Sequence, residues 1–242
     1  MPGAMSALER KLGTFMPLSA AESACLGELQ SVPLRIPAGQ ELVHEGQTGH
    51  MAYILQSGWA CSYKLLADGG RQIISFPLPG DFLGLRSVLL RTSDHAFAAL
   101  TDIVVSSVAG PRMMQVFNDH PRLAAAVLWA ASRDEAMVVE HLVNIGRRSA
   151  IDRTAHFFLE LFERLRLVGL ATPKGFVCPL NQYVLADALG LSAIHVNRVL
   201  RQLRERRLLT LKGRRVVVHD LPGLKALAGF QDQSDLGQAA PG

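Results

Sequence analysis

The sequence predicts an α+β chain in three parts: an antiparallel β domain, one long helix, and a helical module closed by a hairpin. Three observations carry this. Short apolar runs alternate with turn residues from about Val32 to Gly110, the pattern turns helical after Pro111, and a helix, Gly turn and helix occupy Asn181–Leu203. At 242 residues two domains are expected, since single cores stop growing near ~250 residues.

Taken in order, residues 1–18 read as an N-terminal tail. Ser19 with Glu22 three residues on is a capping box that opens a short helix through Leu29. Turn signals follow at Pro37-Ala-Gly39, Glu45-Gly46, Ser57-Gly58, Asp68-Gly69-Gly70, Pro79-Gly80-Asp81 and Ser93-Asp94. The runs between them, Met51–Leu55, Trp59–Leu66, Arg71–Phe76 and Asp102–Val108, suit strands of an antiparallel barrel or sandwich. Residues 19–110 are therefore assigned to this domain.

Residues 111–148 are assigned to a long helix, unbroken from Pro121 to Arg148. Ala124, Val127, Ala131, Asp134, Val138, His141 and Ile145 alternate three and four apart, as in a coiled-coil seam that would join two copies of the chain. The alternative is a lone helix packed on the barrel through Leu128, Val138 and Leu142. Asp134 and His141 are polar, so such a seam would be specific rather than maximally tight.

Residues 149–230 form the last module, ahead of a flexible tail at 231–242. Asn181 suits an N-cap, Gly190 a left-handed helix end, and Ser192 the cap of the next helix. Val196, Val199, Leu200 and Leu203 make one apolar stripe, while Ile194, Arg198, Arg201 and Glu205 point away and His195 and Asn197 flank them. Seven Arg and one Lys stand between Ser192 and Arg215 against one acid, Glu205. Leu208–Leu211, a Lys212-Gly213 turn and Arg215–His219 read as a hairpin, with Lys212, Arg214 and Arg215 near its tip. A short helix with an apolar back and an Arg front, followed by a basic hairpin, is a winged helix-turn-helix, and its partner is double-stranded DNA. The wing's cations reach phosphates, which give affinity without sequence information.

Other classes are poorly supported. His-Glu-x-x-His, P-loop and Gly-x-Ser-x-Gly patterns are absent, so no enzymatic activity is expected. Cys25, Cys61 and Cys178 lack zinc spacing, so neither metal nor cofactor is expected and the thiols fit a reducing, cytoplasmic setting. The apolar run Leu123–Ala131 is far shorter than the ~20 residues of a membrane span, and no signal core precedes Glu9-Arg10-Lys11.

This order of parts resembles the Crp/Fnr family of bacterial transcription regulators from about Leu18 to His219. The resemblance rests on Pro37-Ala-Gly39, Glu45-Gly46, Tyr53-Ile-Leu-Gln-Ser-Gly58, Gly80-Asp-Phe-Leu-Gly84 and Leu189-Gly-Leu-Ser-x-x-His-Val-Asn-Arg198. It implies a jelly-roll-like β-roll sensor, a dimerisation helix, a homodimer on a pseudo-palindromic operator, and RNA polymerase as a further partner. Ser192 and His195 fall where the family touches the DNA backbone, and Ala193, Ile194 and Arg198 where it reads bases. Gln182, Asn197 and Arg201 complete the expected DNA face. Ala193 and Ile194 replace polar readers and are suited to a thymine methyl. The family's cyclic-AMP pocket is degenerate here. Gly84 is kept, but Leu85 stands at the Glu position, His95-Ala96 at the Arg-Ser pair, and Val138-Val139 at the adenine-facing pair. An effector other than cyclic AMP, an unknown small molecule, or none is therefore expected. The alternative is a constitutive DNA-binding protein whose β-roll is a dimerisation or polymerase-contact scaffold. Cys25 stands alone where the oxygen-sensing branch has several cysteines. His44, His50 and Cys61 are the remaining candidates for haem-type ligation, although lone histidines are more often structural.

Overall fold

A computed structural model describes residues 5–49, 51–90 and 92–230. The chain divides into two compact units, residues 1–139 and 140–242. The first unit holds helices α1 (Ala7–Gly13) and α2 (Ala20–Leu29), then strands β1 (Pro33–Ile36), β2 (Glu41–Val43), β3 (Ala52–Ser57), β4 (Ala60–Leu65), β5 (Arg71–Ser75) and β6 (Phe82–Leu83). Helix α3 (Leu85–Leu90), strands β7 (Ala96–Ala99) and β8 (Ile103–Val108) and helix α4 (Gly110–Asp119) lead into α5 (Pro121–Arg147). The second unit adds α6 (Ala150–Leu167), β9 (Ala171–Thr172), β10 (Gly175–Val177), α7 (Gln182–Leu189), α8 (Ala193–Glu205), β11 (Leu209–Lys212), β12 (Arg215–Val218) and α9 (Leu221–Ala228).

The β domain is two antiparallel four-stranded sheets, ordered β1-β8-β3-β6 and β2-β7-β4-β5. Their facing side chains, among them Ile36, Val43, Leu55, Phe97, Ile103 and Val105, form one core. Successive strand residues point to opposite faces. Leu55 therefore enters this core while its neighbour Ile54 joins a second cluster built from α1, α2, α4 and α5. Both faces of β3 are covered over Ala52–Leu55, which is why that part of the strand is an apolar run rather than an alternation.

Part of the first eighteen residues is helix rather than tail. Ser6 and Glu9 cap α1 reciprocally, and Leu8 and Leu12 are fully buried. Lys11, itself buried, reaches Asp81 Oδ1 at 2.7 Å and Asp134 Oδ1 at 3.6 Å. Asp81 also accepts from the Leu78 amide at 2.8 Å. Gly80 (φ 93) lets α1 come this close, because a Cβ there would lie 2.8 Å from the Ala7 backbone. Two short apolar positions separated by charged residues gave α1 too weak a period to read from the sequence.

The long helix is confirmed; its outward face shares Ala131, Val138 and Ile145 with the expected seam but holds Leu128, Glu135 and Leu142 where the seam had Val127, Asp134 and His141. Val127 is buried in its own unit's helix cluster, Asp134 faces Lys11, and the His141 ring lies 3.1 Å from the Ala188 carbonyl oxygen in the second unit. Leu128, Val138 and Leu142, offered above as the barrel-facing set, are instead 67 %, 47 % and 72 % exposed. Leu128, Ala131, Glu135, Val138, Leu142 and Ile145 keep the alternating three-four spacing. The apolar stretches on the two faces adjoin, so the pattern alone permits both registers; Val127 of the expected seam is buried in its own unit's core.

Candidate nucleic-acid interface

In the second unit the turn chemistry is as the sequence indicated. Asn181 Oδ1 accepts from the amides of Tyr183 and Val184 at 3.0 Å, satisfying two of the open donors at the start of α7. Gly190 ends the helix in the left-handed region (φ 61), and Ser192 Oγ accepts from the His195 amide at 3.2 Å. That bond uses an oxygen lone pair and leaves the Ser192 hydroxyl hydrogen free to donate to a phosphate.

Helix α8 packs on α6 and α7. Val196, Val199 and Leu203 are at most 2 % exposed, and burying each stabilises the unit by roughly 1.5–3 kcal/mol. The opposite face is thereby turned outward. Ile194, Asn197, Arg198 and Arg201 are exposed, while Ala193 and His195 are half-buried at its edge. Arg201 Nε lies 3.3 Å from Glu205 Oε1 on the next turn. Arg198 has no ion-pair partner among the described residues, so its guanidinium fork is open. Gln182 is exposed at the start of α7.

Helix α8 ends in a Schellman motif. The Leu208 amide donates to the Leu203 carbonyl at 3.0 Å and the Arg207 amide to that of Arg204 at 2.9 Å. The position that usually takes glycine is Arg207, at φ 55. The hairpin turn is Gly213-Arg214 rather than Lys212-Gly213. Lys212 pairs with Arg215 across the ladder, and Gly213 and Arg214 both have positive φ, 57 and 61, as a two-residue type I′ turn requires. A one-residue shift of the turn keeps Lys212, Arg214 and Arg215 exposed together at the wing tip.

Sequence reasoning missed the polar seat beneath this interface. Arg153 on α6 donates to the Leu189 carbonyl at the end of α7 (2.6 Å) and to the Ile145 and Arg148 carbonyls at the end of α5 (3.0 and 3.3 Å). One guanidinium thus serves the open carbonyls of two helix ends. Beside it, Asn144 Nδ2 lies 3.1 Å from His156 Nδ1, and Glu140 Oε2 lies 3.4 Å from His156 Nε2. An Arg four positions into a helix carries no special sequence signal, which is why this seat was not anticipated.

The residues expected at the effector pocket lie in differing surroundings. Gly84 keeps its left-handed turn (φ 70), but Leu85 packs against the α1–α2–α4–α5 cluster. Ala96 is buried within β7 and Val138 is exposed on α5. His95 Nδ1 meets Asp94 Oδ1 at 2.7 Å and its ring rests on Phe97 at 4.7 Å. Burial pushes the His95 imidazole below its ordinary value against the opposing pull of Asp94. A cation not among the expected residues, Arg86, is paired with Asp94. Of the haem-type candidates, Cys61 is fully buried, His44 pairs with Glu41, and His50 lies outside the described residues.

The chain matches the Crp-like helix-turn-helix domain over residues 152–227 and the cyclic nucleotide-binding domain over residues 33–120. It is 33 % identical to the nitrogen fixation regulation protein FixK of Rhizobium meliloti over 181 residues, 74 % of this chain and 78 % of that one. The chain belongs to the Crp/Fnr family of DNA-binding transcription regulators. A second Crp/Fnr relative, the transcriptional activatory protein AadR of Rhodopseudomonas palustris, is 31 % identical over 78 % of each chain. The structure of FixK2 from Bradyrhizobium japonicum superposes with a TM-score of 0.74 at 28 % identity, covering 83 % of this chain and 98 % of that one. The α+β architecture read from the sequence is that of this family, and no described helix is long and apolar enough to cross a membrane.

The seat around His156 yields a pH dependence. Burial, reinforced by Arg148 and opposed by Glu140, pushes its pKa down to about 4. The unfolded chain, with His156 near 6.5, then binds more protons between pH 6.5 and 4. Stability of the second unit should therefore fall as the pH drops through that window, by on the order of 3 kcal/mol. His156→Asn should flatten this slope in denaturant titrations at stepped pH. An unchanged slope would place the titration elsewhere.

Proposed function

We propose that this Crp/Fnr regulator acts as a homodimer on a pseudo-palindromic operator with half-sites about one DNA turn apart. Helix α8 enters the major groove by its N-terminal end, Arg198 reads guanine, and the wing cations hold phosphates together with Ser192 and His195. The observation that carries this reading is Arg198 itself, an open guanidinium fork on the outward face of a helix whose back is sealed. Arg bidentate to guanine O6 and N7 is the commonest specific contact to DNA. RNA polymerase is the further protein partner, and the three free cysteines fit the reducing cytoplasm.

Arg198→Ala should lose about 1–3 kcal/mol on the preferred operator and much less on random duplex in equilibrium binding. Replacing Arg214 and Arg215 together should weaken every sequence and reduce the salt slope. Equal losses on specific and random DNA for Arg198→Ala would remove its base-reading role.

The dimer surface is the outward stripe of α5, Leu128, Ala131, Glu135, Val138, Leu142 and Ile145. Its large members are exposed in the single chain, and the spacing is that of a two-stranded seam. Leu142→Asp places like charges opposite each other at one layer without touching the core of either unit. Light scattering should report a monomer with an unchanged circular dichroism spectrum. A variant that stayed dimeric would locate the interface elsewhere.

The signal is not cyclic AMP. A buried phosphodiester needs a cation or an array of donors. Here burial favours the neutral form of His95, which is turned to Asp94, Arg86 is already paired, and Leu85 packs against the helix cluster. Titration calorimetry with cyclic AMP, and with cyclic GMP as control, should give no heat of specific binding. Micromolar affinity for either would overturn this view of the pocket.

A further inference from the structure

Ile194 is 83 % exposed, more than any other large apolar side chain among the described residues. It stands on the first turn of α8, just inside the Ser192 cap. Its neighbours on the same helix face are polar. Asn197, Arg198 and Arg201 share its face, and Val196, Val199 and Leu203 are buried on the other. An isolated aliphatic side chain among exposed cations is poorly suited to a protein interface, which needs a contiguous apolar centre. It is well suited to one feature of a DNA groove.

The major-groove edges of the bases present donors, acceptors and a single apolar group, the C5 methyl of thymine. Ile194 can neither donate nor accept through its side chain. Set against guanine, adenine or cytosine it would cover polar edge atoms and leave them unpaired. We propose that Ile194 is a specificity-determining residue that selects a thymine by its methyl group. This rests on the DNA-binding reading above and adds a base identity to it. Ala193 beside it is small and half-buried, so nothing on that turn stands between Ile194 and the base.

The placement of that thymine follows from helix geometry. Ile194 and Arg198 are four residues apart, a little over one turn or ~6 Å along the axis. Base pairs succeed each other every ~3.4 Å. The thymine therefore lies one or two base pairs from the guanine read by Arg198, on either strand of the same half-site.

The experiment deletes the methyl and nothing else. The preferred operator is selected from a random duplex pool with the full-length protein. Each half-site thymine is then replaced by deoxyuridine, and affinities are measured for the wild-type chain and for Ile194→Ala. At one position, within two base pairs of a guanine, the swap should weaken the wild type about four-fold, the value of one buried methyl-sized group. Ile194→Ala should bind the thymine operator more weakly and be indifferent to the swap. Wild-type binding unaffected at every position, or a full uracil penalty retained by Ile194→Ala, would overturn the assignment while leaving sequence-specific binding intact. Failure to enrich any sequence would overturn both this proposal and the reading beneath it.

Discussion

Everything the second unit presents to DNA depends on which face of α8 is buried. A helix cannot hide one stripe without exposing its opposite, so sealing Val196, Val199 and Leu203 on the body of the unit turns Ile194, Arg198 and Arg201 outward. The orientation is stabilised by apolar area, while the caps at Asn181, Gly190 and Ser192 set the angle at which α7 delivers the chain to α8. Arg153 completes the constraint by bonding the carbonyl ends of α5 and α7 to one side chain of α6. A rotation of α7 would break that bond to Leu189, so the position of the helix-turn-helix is tied to hydrogen bonds as well as to packing.

Much of this was legible because local and tertiary preferences agree. Ser19 with Glu22, Asn181, Gly190 and Ser192 occupy the caps their side chains suit, and the stripe of α8 has one register only. The failures come where two readings share one pattern. On α5 the faces through Val127 and Leu128 are both apolar, and only the packing of Val127 against Leu8, Leu26 and their neighbours separates them. Around the hairpin, Lys212-Gly213 and Gly213-Arg214 differ by one residue, and the ladder pairing of Lys212 with Arg215 decides. Arg153 and Lys11 act over long sequence separations, to Leu189 and Asp81, and no spacing rule announces such partners.

The first unit gives its most recognisable motif a structural purpose. Gly80 and Asp81, read from the sequence as marks of the sensor domain, here admit α1 and bind it. Gly80 clears the Ala7 backbone, and Asp81 holds the buried Lys11 ammonium as well as the Leu78 amide. A buried ion pair gives little net stability over apolar residues, but losing one partner leaves the other uncompensated. The pair therefore specifies where α1 sits more than it tightens the fold. Further along, Gly84 takes a left-handed turn and Leu85 beside it, partly buried, packs against the helix cluster.

Backbone strain points to the DNA face independently of any motif. Among the described residues only Arg207 and Arg214 combine a side chain with positive φ. Left-handed backbone costs an L-residue roughly 1–2 kcal/mol, and glycine would relieve it at both places. Each position is one where glycine is the usual occupant: the end of a Schellman-capped helix and the second residue of a type I′ turn. Both carry arginine, and both lie exposed at the edges of the surface formed by α8 and the wing. A cation at a site that stability would give to glycine is explained by a charge requirement the folded chain alone does not have. Under the proposed DNA-binding mode, phosphates flanking the groove would supply that requirement. The strained arginines at the margins would then give affinity, while the first turns of α8, capped by Ser192 and backed by the buried Val196 and Val199, would give the fixed geometry that base reading demands.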